Sequence, residues 1–377
     1  MNEKTNKIDI WIFLAVIALL MFSLLVVYSA SSYYFYETKK DTEFLLRNHL
    51  LKVILGIAMI FFFMKLDYTL YKKISKYLIW FAIFLLLYVL LFAAAKKNVY
   101  RWIDIGPLSF QPSDFAKYAL IIHISYLLMK KKEYTHLLYR GYLPVLFYII
   151  LITALVAFQP NLSTSLIIFG SCMLLLFVSP VKLKHMIITV LLMIPFIIVF
   201  IVSNEYMLNR LSDYSEYASG KGTEKQLAQA IIGLGNGGII GVGAGNSYQK
   251  EYFLPEAYGD FIFAIVGEEY GFIGATVLII IFVILIFRGY KVAKETDDDF
   301  GKYIAFGITT IVALYSFVNI SVATGIIPTT GVTIPFVSYG GTALVINCIG
   351  IGILLNISSH RGQQKSQKEK FTKVVEA

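Results

Sequence analysis

Twenty-one consecutive residues, Ile10 to Ala30, carry no charged side chain. Wound into a helix at about 1.5 Å per residue, such a run crosses the roughly 30 Å hydrocarbon layer of a bilayer. It is longer than the core of a signal peptide, and no A-x-A-like site closes it, so it reads as a retained span. Nine further apolar runs follow, near residues 49–65, 77–95, 113–129, 142–158, 163–179, 186–203, 260–287, 303–325 and 341–357. Backbone in lipid must satisfy its own hydrogen bonds, which makes these runs helices. The expected fold is an all-α polytopic membrane protein of about ten transmembrane helices, with residues 1–377 as one membrane domain. Composition agrees. Hydrophobic residues make up 58% of the chain and charged residues 15%, and the mean hydropathy of +0.70 is far from that of a soluble domain.

The basic residues orient the spans. Connections on the side of the N-terminus hold 21 of the 33 Lys and Arg, those on the other side hold 10, and Lys52 and Lys117 fall within spans. That bias places the short N-terminus (1–9) and the basic tail (358–377) in the cytoplasm. It also accounts for the net charge of +9 without a nucleic-acid partner, the tail suiting contact with anionic lipid instead. Cys172 and Cys348 lie in apolar runs and are expected to be unpaired core thiols. One connection breaks the regular pattern. Residues 204–259, between the seventh and eighth spans, form a 56-residue extracytoplasmic loop rich in Gly, Tyr and polar side chains. Loops that long usually carry function. The connections 96–112 and 326–340 are also dense in unusual residues, so the working face is expected outside.

Within the long loop, Gly233-Leu234-Gly235-Asn236-Gly237-Gly238 matches G-x-G-x-x-G formally. A dinucleotide site needs a preceding strand and a βαβ unit, for which there is no room between spans. Seven glycines between 233 and 245 point instead to a backbone that turns sharply or closely approaches a ligand or helix. Gln226 and Gln229, just upstream, offer amides to a sugar or phosphate. A second constellation is Arg101-Trp102-Ile103-Asp104, then Gln111-Pro112-Ser113-Asp114, then Lys117. Pro112 and Asp114 suit the first turn of a helix, where a missing N–H is harmless and a carboxylate meets the positive helix end. Asp114 and Lys117, three apart, share a face. Lys117, about one turn inside the membrane, has two readings: an internal ion pair, with Glu268 or Glu269, or an anion-binding cation at the outer mouth.

Carboxylates at membrane depth need a cavity or a partner, because insertion of a charge costs about 2.5–3.5 kcal/mol. Asp260 and Glu268 stand roughly 80° apart around a helix and ~12 Å along it, with Glu269 on the face opposite Asp260. Asp260, at the outer boundary, can reach water and a sugar. Glu268 and Glu269 are expected to hold neighbouring helices or tune the site. The five histidines (His49, His123, His136, His185, His360) have no metal-ligand spacing. No G-x-S-x-G, H-E-x-x-H or Walker A occurs, which argues against ATP hydrolysis and serine or zinc peptidase chemistry. A carboxylate at an outer membrane face, beside cations and amides, suits glycosyl or phosphate chemistry on a lipid-linked substrate.

At these residues the sequence resembles the SEDS family of bacterial shape, elongation, division and sporulation proteins, which includes FtsW, RodA and SpoVE. The resemblance rests on Arg101-Trp102-Ile103, Gln111-Pro112-Ser113, the Gly-rich loop, Asn246-Ser247, Leu254-Pro255-Glu256, Asp260-Phe261-Ile262-Phe263-Ala264, Gly267-Glu268-Glu269 and Pro335-Phe336-Val337-Ser338-Tyr339-Gly340-Gly341. It runs from Asp9 to about Ile357. The segments Gly245–Lys250 and Val27–Ser32 look more like FtsW than RodA. What this implies is a ten-helix inner-membrane peptidoglycan glycosyltransferase that polymerises lipid II beside a class B penicillin-binding protein and other division proteins at the septum. The position of Asp260 is that of the family's catalytic residue. The candidate substrate-side residues are Lys117, Arg101, Gln111, Asp114, Arg210, Gln226, Glu256 and Ser338. A divalent cation (Mg or Mn) could accompany the diphosphate, and no organic cofactor is expected. The alternatives are a RodA-like elongation polymerase and, in another class, a lipid II flippase. Departures from the family pattern include Asp114 in place of Glu, Asn161-Leu162-Ser163 after Pro160, and Tyr258-Gly259 in place of His-Thr.

Overall fold

The computed structural model describes residues 8–39, 41–92, 101–105, 108–220, 226–254 and 257–361. The ten apolar runs all fall in helices: α1 (Ile10–Lys39), α2 (Phe44–Lys65), α3 (Leu70–Phe92), α4 (Pro112–Lys130), α5 (Leu143–Ala157), α6 (Leu162–Val178), α7 (Leu183–Val202), α11 (Ile262–Glu295), α12 (Asp299–Ala323) and α13 (Ala343–Ser359). Three more helices, α8 (Glu205–Ala218), α9 (Gln226–Asn236) and α10 (Tyr248–Tyr252), occupy the expected loop between α7 and α11. A short antiparallel hairpin, β1 (Ile103–Ile105) with β2 (Leu108–Phe110), joins α3 to α4. Seven of the described helices are long and apolar enough to cross a membrane, α5 being extended to Leu138 by a π-helical turn, and α6 and α13 are shorter apolar helices. α4, which carries Asp114, Lys117 and His123, is not among them.

Burial explains why α4 tolerates those charges. Fourteen of its 19 residues are buried, around the whole circumference, so it is a core helix with protein on every side. α3, α5, α6, α12 and α13 surround it. Of the seven long apolar helices α12 is the most enclosed, with 67% of its window buried, whereas α7 has 11% and lies at the periphery. Small residues let these helices approach closely, as they must where lipid gives no hydrophobic push. A Cβ at Gly350 of α13 would lie 2.6 Å from the Tyr118 ring of α4.

α11 is broken at Gly271, whose φ of 65° and ψ of −166° leave the helical region. The Gly-rich segment fills the break. Val242 and Gly243 donate their N–H groups to the carbonyls of Glu268 and Glu269 at 3.0 Å each, while Phe272 and Ile273 donate to Gly238 and Ile239 at 2.9 and 3.1 Å. A Cβ on Gly241 would stand 2.2 Å from the Glu269 carbonyl oxygen, so only glycine allows this approach. Irregular backbone at membrane depth is thereby satisfied by protein.

At the other end of the bundle, Arg288 of α11 grips Asp9 with Nε at 3.1 Å and Nη2 at 2.6 Å, and Arg361 adds Nη2 at 3.2 Å. The amide of Asp9 also donates to Ser358 Oγ at 2.9 Å. The two ends of the described chain therefore meet on the face opposite the hairpin.

Candidate active site

The turn before α11 is held carbonyl by carbonyl. Tyr258 accepts from the amide of Tyr339 at 2.9 Å, Gly259 from Ser338 Oγ at 2.8 Å, and Asp260 from Asn319 Nδ2 at 2.8 Å. Asn319, fully buried on α12, spends its other amide hydrogen on the Val332 carbonyl at 2.7 Å. Three consecutive residues are thus fixed by α12 and by the 332–339 segment, which leaves the Asp260 side chain partly exposed and aimed by its backbone.

That side chain opens into a cavity of about 410 Å³. Its wall includes Arg101, Trp102 and Ser109 from the hairpin region, Gln111 and Asp114 from the start of α4, and Asn161 and Thr164 from the α5–α6 turn. Lys52 of α2, Gln226 of α9, Tyr315 of α12, Tyr258, Thr333 and Tyr339 add to the polar lining. Burial pushes the Tyr339 phenol above its ordinary pKa, so it stays neutral and can donate a hydrogen bond. Arg101 donates from Nε to the Gln159 carbonyl at 3.2 Å and from Nη2 to Pro160, tying the hairpin to the α5–α6 turn. This gives that turn a structural part despite the Asn161-Leu162-Ser163 departure.

Of the expected substrate-side residues, Arg101, Gln111, Asp114 and Gln226 line the cavity with Asp260. Arg210 on α8 does not line it but sits beside it. Its Nη1 donates to the Thr329 carbonyl at 3.1 Å, and a Cβ placed on Gly331 would be 3.5 Å from both Arg210 Nη2 and Asp260 Oδ2. The guanidinium and the carboxylate therefore flank one glycine. Ser338 is buried and its hydroxyl is committed, accepting from Ile334 N and donating to Gly259. It holds the turn and does not face the cavity. Glu256 lies outside the described residues.

Lys117 requires a correction. It pairs with neither Glu268 nor Glu269. Its Nζ donates to Asp114 Oδ1 at 2.8 Å, one helical turn back, and stands 4.4 Å from the centre of the Tyr315 ring. It is 1% exposed and stands behind Asp114, off the cavity wall. Its partner is the near carboxylate because α4 is a core helix, whereas the two glutamates are engaged elsewhere. Glu269 Oε1 accepts from Lys250 Nζ at 2.6 Å and from Ser29 Oγ at 2.5 Å. Glu268 accepts from Ser247 Oγ and from the amide of Tyr248 at 3.2 Å. Both glutamates thus bind the segment around α10 to α11, and Glu269 also reaches α1.

The other Oδ of Asp114 has no hydrogen-bond partner among the described residues. Asp114 thus contributes to the cavity wall while this oxygen itself stays shielded from solvent. Among the described residues no group of three or more His, Cys, Asp or Glu comes together to hold a metal. Among the described residues, then, the donor set builds no resident metal site.

Sequence reasoning passed over Lys52, Asn319 and Tyr315. Lys52 did carry a signal, as a cation within an apolar run, whereas Asn319 shares its run with Thr309, Thr310, Ser316 and Ser321 and did not stand out. Tyr315 had none, since an aromatic in a span is ordinarily packing.

Comparison with known proteins follows the same lines. The family model for FtsW, RodA and SpoVE, described as cell cycle protein, matches residues 10–363. A probable peptidoglycan glycosyltransferase FtsW of Geobacter metallireducens is 35% identical over 95% of this chain and 96% of its own length. The stage V sporulation protein E of Bacillus subtilis is 33% identical over 96% and 99%. Among solved structures, a chain of a peptidoglycan synthase complex that coordinates polymerization and crosslinking superposes with a TM-score of 0.77 at 21% identity, covering 94% of this chain and 99% of that one. The rod shape determining protein RodA of Thermus thermophilus gives 0.71 at 21% identity over 94% and 98%. At those identities the two structures speak for the fold.

Proposed function

The chain belongs to the family of FtsW, RodA and SpoVE, and from that premise we propose that it is a peptidoglycan glycosyltransferase of the cytoplasmic membrane that polymerises lipid II. The observation that carries this reading is Asp260, its backbone carbonyl clamped by Asn319, at the wall of a cavity also lined by Arg101 and Gln226. In the reaction, the bond between the donor sugar's anomeric carbon and its diphosphate oxygen breaks. The acceptor's 4-hydroxyl oxygen forms the new bond from the opposite face, with inversion. Asp260 takes the hydroxyl proton, and the diphosphate departs with the bonding electron pair. Such a step needs a base at hydrogen-bonding reach and fixed positive charge near the leaving oxygen. Arg101 is one cation of the wall and holds the hairpin to the α5–α6 turn on the phosphate side. Arg210, across Gly331 from Asp260, is placed to steady the carboxylate. The buried Lys117–Asp114 pair supports the wall.

We assign the division role, because both the 245–250 segment and an FtsW relative at 35% identity favour it. A class B penicillin-binding protein is the proposed partner, supported by the likeness to a chain from a synthase complex. Other division proteins and placement at the septum follow from the same role. A flippase is disfavoured by the helix breaks. Transporters place discontinuous helices in pairs around the substrate, and among the described residues only α11 carries such a break.

The test is Asp260→Asn in the purified protein, alone and with its co-expressed transpeptidase. The amide is nearly isosteric and cannot take a proton. Folding and insertion should be retained while glycan synthesis from lipid II is lost. A folded Asp260→Asn protein that polymerises at the normal rate removes the base assignment.

A further inference from the structure

Lys52 lies on α2, one turn past His49 and beside Val53, on the flank of the helix turned to protein, and it lines the cavity that holds Asp260. Its ammonium stands 3.9 Å from the centre of the Tyr339 ring. Among the described residues no carboxylate pairs with it, although the more deeply buried Lys117 and Lys250 each have one. An aromatic face returns less than a cation loses on leaving water for a membrane interior. The ring therefore positions Lys52 without neutralising it. Arg101, the other cation of the wall, is already engaged by the carbonyls of Gln159 and Pro160. Gly340, Gly341 and Ala343 bring the start of the 17-residue α13 to the same cavity, adding the positive end of a helix dipole. The helix end thus adds positive potential beside an ammonium that makes no ion pair among the described residues, although Asp260 and Asp114 line the same cavity.

We propose that Lys52 is the cationic contact for the diphosphate of the polyprenyl-linked substrate, with the Tyr339 face keeping its ammonium directed into the cavity. This rests on the reading of the cavity as a lipid-diphosphate polymerase site, and it adds a binding residue to that reading. The coupling to chemistry is short. Tyr339, under Lys52, donates its amide to Tyr258, two residues before Asp260, and its ring meets the Tyr258 ring at 5.8 Å. A diphosphate drawn to Lys52 is drawn to the loop that aims the base.

The experiment measures binding without turnover. Geranylgeranyl diphosphate and geranylgeraniol, alike in chain and different in head group, are titrated against the wild type, Lys52→Met and Lys52→Arg in nanodiscs. Loss of a charge-assisted contact should weaken the diphosphate about tenfold in Lys52→Met. The alcohol should be unaffected, and Lys52→Arg should stay near the wild type. Unliganded melting temperatures report folding, and Lys52→Gln replaces the Met variant if that one does not fold. Equal diphosphate affinity in charge-keeping and charge-removing variants, or no preference of the wild type for diphosphate over alcohol, overturns the proposal. Because no glycan is made in this assay, its failure is distinct from failure of the Asp260 test. A polymerase that loses activity with Asp260→Asn yet binds diphosphate independently of Lys52 keeps the function and loses this residue.

Discussion

At the scale of single residues, the geometry of the candidate site depends on an amide that does not line the cavity. Asn319 donates to both Asp260 and Val332 through one nitrogen, so its removal strands two carbonyls at once. Leaving a buried acceptor unsatisfied costs about 1–3 kcal/mol. Asn319→Ala should lower the melting temperature and, through a misplaced turn, cut polymerisation by on the order of 10²-fold. A melt measured beside initial rates of glycan synthesis checks this, and a wild-type rate in a folded variant would show that the clamp is dispensable. Asn319→Asp should be no better, since a carboxylate has no hydrogen to give. In the sequence Asp260 stood out because a carboxylate at the head of an apolar run needs a reason. Asn319 did not, because one amide within a span has many ordinary uses and its partners are 59 and 13 residues away.

At the scale of elements, α4 and α11 show two ways of keeping charge inside a bundle. In α4 the solution is local, Asp114 and Lys117 sharing one face. Lys117→Met should destabilise the protein by about 3–5 kcal/mol, as removal of one member of a buried pair does. Adding Asp114→Asn should restore most of that loss, while adding Glu269→Gln should restore none. Thermal denaturation of the two double variants decides it, and rescue by Glu269→Gln would contradict the pairing. In α11 the solution is distant. Glu268 and Glu269 bind residues near α10, and the glycine segment repairs the break at Gly271. Gly241→Ala should undo that repair, since its Cβ would collide with the Glu269 carbonyl and its φ is +94°. Faster hydrogen exchange at Val242 and Gly243 would report the loss, and unchanged protection would speak against it. The spacing of three between Asp114 and Lys117 was readable in the sequence. The wrong partner was still a reasonable expectation for Lys117, because depth in the membrane says nothing about which helix lies alongside.

For the whole molecule, helices were legible and their arrangement was not. Hydropathy locates an apolar run, but it cannot tell that α4 is enclosed and α7 peripheral. Likewise, composition marked residues 204–259 as unusual without showing that three helices and a backbone graft occupy them. Orientation remains to be measured. From the 21-to-10 bias in basic residues, Ser219→Cys should react with a membrane-impermeant thiol reagent in intact spheroplasts, and Glu133→Cys should not. Both positions are exposed, and the native Cys172 and Cys348 are buried, so background labelling should be low. The reverse pattern would move the cavity to the cytoplasmic face. The graft itself constrains how the protein can be made. Residues 238–243 are synthesised before residues 268–273, the stretch of α11 with which they exchange hydrogen bonds. Unpaired backbone is not tolerated against lipid, so the glycine segment cannot settle until α11 has been inserted. The break in α11 in turn stays unsealed until that segment returns to it. Insertion of this region is therefore a two-part closure, in which a glycine loop waits for a helix that the ribosome has yet to deliver.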